Sequence, residues 1–302
     1  MTYSIVARDP LSGQLGVAVQ SHYFSVGPIV PWARAGVGAV ATQSLVEPAH
    51  GPNGLRLMAE GLGAPQALAE LIAADEGRAV RQVALVDAHG AVAAHTGDKC
   101  IPAAGHATGD GFSCQANMML HDTVWDAMAA AFSSSPGDLA ARLMAALYAA
   151  EAEGGDIRGR QSAAMLVVAA ADTGRPWPSG DVVVDLRVED HPEPLVELER
   201  LLGLQRAFAH AEEFDRRIES GDTAGAWNEI SAAERLAPGN VELQFWKAVT
   251  LAERGRESEA REILVGVYRS DPNWAELLRR LPGVGLGPSD PELIARLTAP
   301  AD

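Results

Sequence analysis

Over the first 190 residues, strand and helix signals succeed one another as strands, two helices, strands, two helices, strands, and this order excludes most folds open to such a chain. A doubly wound parallel sheet needs strict alternation of strand and helix. Here short β-rich runs at Tyr3–Arg8 and Leu15–Gln20 flank Asp9-Pro10-Leu11-Ser12-Gly13, the signature of a hairpin. An uncharged apolar run, Gly36–Gln43, follows the Pro28–Pro31 corner and suits a strand buried on both faces. Helical patterns occupy Asn53–Glu60 and Pro65–Ala74, the latter opening with a first-turn proline. Strand signals return at Gln82–Asp87, Ala91–Thr96 and Gly111–Asn117, helical ones at Asp122–Phe132 and Asp138–Ala152, and strands again at Ala163–Ala170 and Val182–Val188. The order predicts an α+β domain over residues 1–190, a four-layer αββα sandwich of two antiparallel sheets with a helix pair outside each.

Side chains alternate along a strand, so Thr2, Ser4 and Val6 are expected on one face and Tyr3, Ile5 and Ala7 on the other. At 302 residues the chain is long enough for two domains, and 47% hydrophobic residues supply the apolar surface for their cores. A net charge of −16 excludes a nucleic-acid partner and disfavours an anionic membrane, because both need clustered Lys and Arg. The first residues lack the basic and apolar regions of a secretory signal, which leads to the expectation of a cytoplasmic protein. Two cysteines, Cys100 and Cys114, make neither a disulfide framework nor metal knuckles. His95, Cys100, His106, Cys114 and His121 match no zinc spacing, and Gly36-Val37-Gly38-Ala39-Val40-Ala41 sits inside a strand rather than opening a helix. No metal and no cofactor are therefore expected.

After His191-Pro192-Glu193-Pro194 the composition shifts to helix formers and charge, and a self-match at a spacing of 34 emerges. Gly221 aligns with Gly255, Ala226 with Ala260, Ile230 with Leu264, Ala233 with Val267 and Pro238 with Pro272. A small residue at the turn, alanine where helices touch and proline after the second helix resemble the tetratricopeptide repeat, which implies a small all-α domain over residues 191–302 that recruits a protein partner. Two repeats bury little by themselves, so Arg279–Leu297 is expected to cap them.

Chemistry concentrates at the N-terminus. Removal of Met1 before a small residue would leave Thr2 with a free amine beside its hydroxyl, and an α-amino group titrates near enough to neutrality to activate that hydroxyl. Four motifs give this reading its context: Thr2-Tyr3-Ser4-Ile5-Val6-Ala7-Arg8-Asp9-Pro10, Gly16-Val17-Ala18-Val19-Gln20-Ser21, the run from Pro31-Trp32-Ala33-Arg34 to Ala41-Thr42-Gln43, and Arg158-Gly159-Arg160-Gln161-Ser162-Ala163-Ala164. Together they resemble the domain of unknown function numbered 1028, placed in the Ntn-hydrolase superfamily. The resemblance implies an Ntn-hydrolase-like αββα sandwich and hydrolysis of a small amide or related C–N bond.

Under that reading Thr2 is the nucleophile, with Ser4, on the same strand face, as the alternative hydroxyl. Ser21 relays a proton or positions water, and Arg34 supplies a cation by analogy with a proteasome-subunit lysine. The Asn117 amide meets the oxyanion. Gln43, Arg158 and Gln161 are placed at the substrate, the arginine because its planar fork suits a carboxylate or phosphate. The rival expectation is a non-catalytic scaffold that binds a small molecule and recruits a protein through its repeat. A homodimer suits either reading.

Overall fold

The computed structural model describes residues 2–174 and 180–299. The chain divides between Leu202 and Gly203 into two compact units. The first contains strands β1 (Thr2–Arg8), β2 (Leu15–Ser21), β3 (Pro31–Arg34) and β4 (Gly38–Ser44), then helices α1 (His50–Ala59) and α2 (Ala64–Ala74). Strands β5 (Arg81–Asp87), β6 (Val92–Thr96), β7 (Gly105–Gly109) and β8 (Phe112–Asn117) follow, then α3 (Val124–Ser134), α4 (Leu139–Ala152), β9 (Ser162–Val168) and β10 (Val182–Val188). The strands form two antiparallel sheets, one ordered β10-β9-β2-β1-β8-β7 and the other β3-β4-β5-β6. The chain is thus of the mixed α+β class.

The alternation expected along β1 sorts its side chains between two cores. Tyr3, Ile5 and Ala7 pack with Met128 and Phe132 of α3 and Leu143 and Leu147 of α4. Val6, on the opposite face, joins Val17 and Val19 of β2 and meets Ala39, Ala41, Ala84 and Val86 of the other sheet. The outer face of that second sheet, Val40, Val83 and Leu85, packs with Leu57, Leu68 and Leu71 of α1 and α2. Close approach of α1 requires Gly51, since a Cβ there would lie 2.3 Å from the Trp32 ring. At α4 the Asp138 side chain accepts from the Ala141 amide at 2.9 Å, a satisfied N-cap before an Ala- and Leu-rich run.

Two strands were not expected. Pro31–Arg34 is only four residues long, opens on proline and lies at a sheet edge, where a missing amide proton costs nothing. Gly105–Gly109 holds two glycines in five residues and forms the other sheet's edge beside β8, so no apolar alternation marks it.

The second unit holds residues 203–220 of α5 (Pro194–Ser220), then α6 (Thr223–Leu236), α7 (Val241–Glu253), α8 (Glu257–Ser270), α9 (Asn273–Arg280) and α10 (Pro291–Leu297). The five residue pairs spaced by 34 occupy equivalent places. Gly221 and Gly255 turn the chain at φ of +84° and +75°, conformations that glycine adopts without strain. Ala226, Ile230 and Ala233 are buried on α6, and Ala260, Leu264 and Val267 on α8. Among the described residues, no helix is long and apolar enough to cross a membrane.

Candidate functional site at one end of the paired sheets

Ser162, Ser21, Thr2 and Asn117 are register partners on β9, β2, β1 and β8 and form one row across the larger sheet. Directly paired residues project to the same face, here the face that carries Val6 and Val19 toward the second sheet. On that sheet, Gln43, Gln82 and Thr96 are likewise partners on β4, β5 and β6, and they share a face with Ala41, Ala84 and Ala94. Two polar rows therefore oppose each other where the strands of both sheets end, and all but Thr96 of their members are buried.

Hydrogen bonds knit the rows together. Thr2 Oγ1 donates to Ser21 Oγ at 3.0 Å. Gln43 Nε2 donates to Gln82 Oε1 at 2.8 Å and to the Thr2 carbonyl at 3.2 Å. Asn117 Nδ2 donates to the same two oxygens, at 2.9 and 3.3 Å. The direction of the chain is set by Gln82, whose Nε2 faces the carbonyls of Ala116 and Gly105 at 2.9 and 3.1 Å and the Thr96 hydroxyl at 2.9 Å. Ser4 lies deeper: it accepts from Gln115 Nε2 at 2.7 Å and donates to Gln43 Oε1 at 2.6 Å, while Ser113 donates to Gln115 Oε1 at 2.9 Å.

The network is neutral. Among the described residues it reaches a titratable group at His106, whose Nδ1 lies 2.8 Å from Thr96 Oγ1 and whose imidazole is held below its ordinary pKa by burial and then by His95. On the other face of β1 the Tyr3 phenol bonds to Glu151 at 2.5 Å, and burial, reinforced by that carboxylate, pushes its pKa well up.

The loops leaving this end are laced and strained. The buried Asp156 carboxylate accepts the His22 amide at 3.1 Å and holds Arg158 by Nε at 3.0 Å and Nη2 at 2.7 Å. Gln161 bridges His22 Nδ1 at 3.2 Å and Asp190 at 3.1 Å. Ser25, Ser44 and Met118 are, among the described residues, the non-glycine positions with positive φ, at 58°, 72° and 58°. One follows each of β2 and β8, and Ser44 ends β4, so all three lie at the Thr2 end. Such conformations cost about 1–3 kcal/mol each and cluster at functional sites.

Thr2, Ser4, Ser21, Gln43 and Asn117 thus come together, with Arg158 and Gln161 on the adjoining loops. Arg34 does not. It pairs with Gly38, five residues along β4 from Gln43, and its exposed side chain lies 3.8 Å from Asp172. That separation is roughly 16 Å along a strand. The expectation failed because β3 runs antiparallel to β4, which carries Arg34 toward the opposite end of the sheet. Asn117 differs from its expected part as well: both amide hydrogens are engaged, and Oδ1, an acceptor, has no partner among the described residues.

A family model described as a family of unknown function, DUF1028, matches residues 2–198. The chain belongs to that family. The DUF1028 match takes in every strand of both sheets and all of the residues assembled above. The crystal structure of protein SPO2555 from Silicibacter pomeroyi, a DUF1028 protein, is 33% identical, with a TM-score of 0.60 over 67% of this chain and 87% of that one. Anbu, an ancestral beta-subunit from Yersinia bercovieri, matches 67% of this chain and 93% of its own at 13% identity and a TM-score of 0.33, values too low to carry a fold relation. No curated protein gives a significant match.

Gln82, Gln115, Thr96, His22 and Asp156 were missed by the sequence reading. For the two glutamines a signal existed: an amide inside an otherwise apolar strand, Gln82-Val83-Ala84-Leu85-Val86 or Cys114-Gln115-Ala116, is a buried polar group that requires partners. Cys100 and Cys114 are free and buried, and burial pushes the Cys114 thiol up. No group of three metal-ligating side chains occurs among the described residues.

Proposed function

We propose that the first unit is an N-terminal-nucleophile amidohydrolase cleaving a small amide or related C–N bond, with Thr2 as its nucleophile. The observation that carries this reading is the row in which Thr2 Oγ1 meets Ser21 Oγ at 3.0 Å, at the end of β1 and beside three strained strand ends. Ser4 is the weaker candidate, because its hydroxyl is committed to Gln43 and Gln115 and is fully buried. Gln43 and Asn117 hold the Thr2 carbonyl and so position the nucleophile. Asn117 serves here as a positioning residue in place of an oxyanion donor. Arg158, fixed on Asp156, and Gln161 stand on the loops that substrate crosses.

In the proposed reaction Met1 is removed and the Thr2 amine takes the Oγ1 proton as Oγ1 bonds to the substrate carbonyl carbon. The amine then returns that proton to the leaving nitrogen as the C–N bond breaks. Water, deprotonated by the same amine, then attacks the resulting ester, and the amine passes that proton to Oγ1 as the acyl–oxygen bond breaks, which frees the acid and restores the hydroxyl. The expected architecture, an αββα sandwich over residues 1–190, is part of this proposal; the sharing of core residues between helices α1–α2 and one sheet, and α3–α4 and the other, supports it. The segment from residue 191 is read as a tetratricopeptide-like recruiting module, supported by the burial of both members of three of its five spaced pairs.

One observation favours a second reading, a non-catalytic small-molecule scaffold. Thr2 is only 3% exposed and the facing amides are largely saturated, as in a purely structural network. The deciding test is intact mass and turnover on one preparation. The amidase reading predicts a mature chain beginning at Thr2, loss of amide turnover in Thr2→Ala and its retention in Thr2→Ser. Active protein that retains Met1 overturns it, and a ligand that stabilises the chain without turnover favours the scaffold.

A further inference from the structure

Among the described residues, the side-chain oxygen of Asn117 is a buried acceptor that no donor meets. Leaving such a group unpaired costs as much as a hydrogen bond is worth or more, so it calls for a donor. The other half of the carboxamide fixes its orientation. Nδ2 faces two oxygens, Gln82 Oε1 at 2.9 Å and the Thr2 carbonyl at 3.3 Å, and turning the group over would set oxygen against oxygen at both. Gln82 is held in turn, because its Nε2 faces the carbonyls of Ala116 and Gly105. Oδ1 is thus the atom left in need of a hydrogen.

The backbone brings a donor to it. At the far end of β1 the Arg8 amide donates to Gly111, beside β8, at 2.8 Å, and the Asp9 amide to Gln14, beside β2, at 2.9 Å. Amides alternate in direction along a strand, so the even-numbered residues of β1 turn their nitrogens toward β8. An unbroken register from Ala7–Phe112 to Thr2–Asn117 carries that alternation to the start of the strand. The Thr2 nitrogen therefore faces the strand on which Asn117 is its direct partner, and the Asn117 carboxamide already lies against the Thr2 main chain. In a peptide bond that nitrogen carries a single hydrogen, which the ladder uses. As a free amine it has another to give.

We infer that in the chain without Met1 the Thr2 α-amino group donates a hydrogen to Asn117 Oδ1, so that Asn117 positions the amine as well as the carbonyl. The inference rests on the Thr2 reading for the loss of Met1 and takes nothing from turnover. An amine anchored there fixes the torsion about the Cα–C bond of Thr2, as the Ser21 contact fixes the hydroxyl, so base and nucleophile keep one geometry. Ionisable groups reach this end of the sheets as Asp156 with Arg158 before β9, His22 after β2 and His106 beyond Thr96, with Tyr3 and Glu151 on the reverse face of β1. Asn117 bonds to none of them, so a substitution there changes one neighbour of the amine.

The test follows the amine itself, through the carbon-13 shift of Thr2 Cα against pH in threonine-labelled protein. Intact mass gives the N-terminal residue, and amide turnover is measured alongside. Asn117→Asp should raise the pH at which the amine titrates by about one unit or more and Asn117→Leu should lower it, because a carboxylate favours the ammonium and loss of the acceptor disfavours it. Gln43→Leu, which removes the other side-chain donor to the Thr2 carbonyl, should leave that titration in place. A shift there as large as in Asn117→Leu overturns the inference. With Asn117 intact, loss of Met1 should raise the folding equilibrium constant about tenfold, as the orphaned oxygen gains its donor. Opposite shifts without amide turnover support the inference and remove the hydrolase. A chain that begins at Thr2 but whose amine titrates alike in both variants, or that gains no stability from loss of Met1, overturns the inference and leaves the hydrolase standing where amide is turned over. Active protein that retains Met1 removes the Thr2 reading and the inference with it.

Discussion

The first unit holds two polar clusters that solve the same problem in opposite ways. Between the sheets, the Thr2 and Gln82 rows use neutral hydroxyls and amides whose directions are set by backbone carbonyls. Beside α1 and α2 the second cluster is built on charge: His50 and Asp75 line a cleft of about 400 Å³, and Arg81 pairs with Asp75. There Asp75 Oδ2 lies 2.9 Å from His50 Nε2 and 2.8 Å from Arg81 Nε, while Oδ1 accepts the Gly77 amide at 2.7 Å. The Arg81 hydrogen bond, aided by His50 and Gly77, holds the carboxyl down at about 2. A neutral network can be sealed because no ion loses its water, whereas in the charged one the bonds from Arg81 and His50 offset the desolvation of the Asp75 carboxylate. The neutral cluster is therefore suited to holding the Thr2 hydroxyl at constant geometry over a wide pH range, and the charged one ties loop to helix in a pH-dependent way.

The sharpest way to break the contrast is at Thr2. Thr2→Ala should reduce amide turnover at least about 10³-fold while changing the urea midpoint little, since among the described residues the Thr2 hydroxyl makes a single hydrogen bond, to Ser21. Equal loss of stability and activity would make the row purely structural. Next comes Gln82→Leu, which leaves Gln43 Nε2 and Asn117 Nδ2 each short of an acceptor and removes one donor from each of two carbonyls. We expect a loss of about 3 kcal/mol by urea unfolding, nearly constant from pH 5 to 8.

Asp75→Asn should cost about 2 kcal/mol at neutral pH and tests the charged side of the comparison. The folded carboxyl titrates at about 2 against an ordinary 3.8. Its contribution is thus fully present above the ordinary value and is lost as pH falls through that window, because the unfolded chain takes up the proton first. The variant should flatten the acid limb of the stability curve between about pH 4 and 2. The smallest effect belongs to Arg34→Ala, which removes a surface contact to Asp172. A change within about 0.5 kcal/mol and unaltered turnover are expected, whereas a large loss of activity would restore Arg34 to the site.

Much of this contrast was legible residue by residue. Alternation along β1 separated Thr2 and Ser4 from Tyr3 and Ile5, and the helix pairs were found where they occur, because those periods are local. The 34-residue spacing likewise located two helical turns through their glycines. What stayed hidden was pairing between distant strands. Nothing local says that β1 lies between β2 and β8, so that Thr2 faces Asn117, or that Gln43 pairs with Gln82. Edge strands with proline or glycine left no pattern, and missing β3 in turn misplaced Arg34.

The sequence by itself determined which side chains each strand sends to which face, where the helices begin and where the composition turns helical, since backbone geometry and the burial of apolar surface act over a few residues. Only the tertiary structure decided that two polar rows oppose each other and that Ser4 is enclosed while Thr2 lies at the strand end. Those facts depend on sheet order and register, which are set by long-range hydrogen bonding and the packing of two sheets, where no neighbour in sequence carries the information.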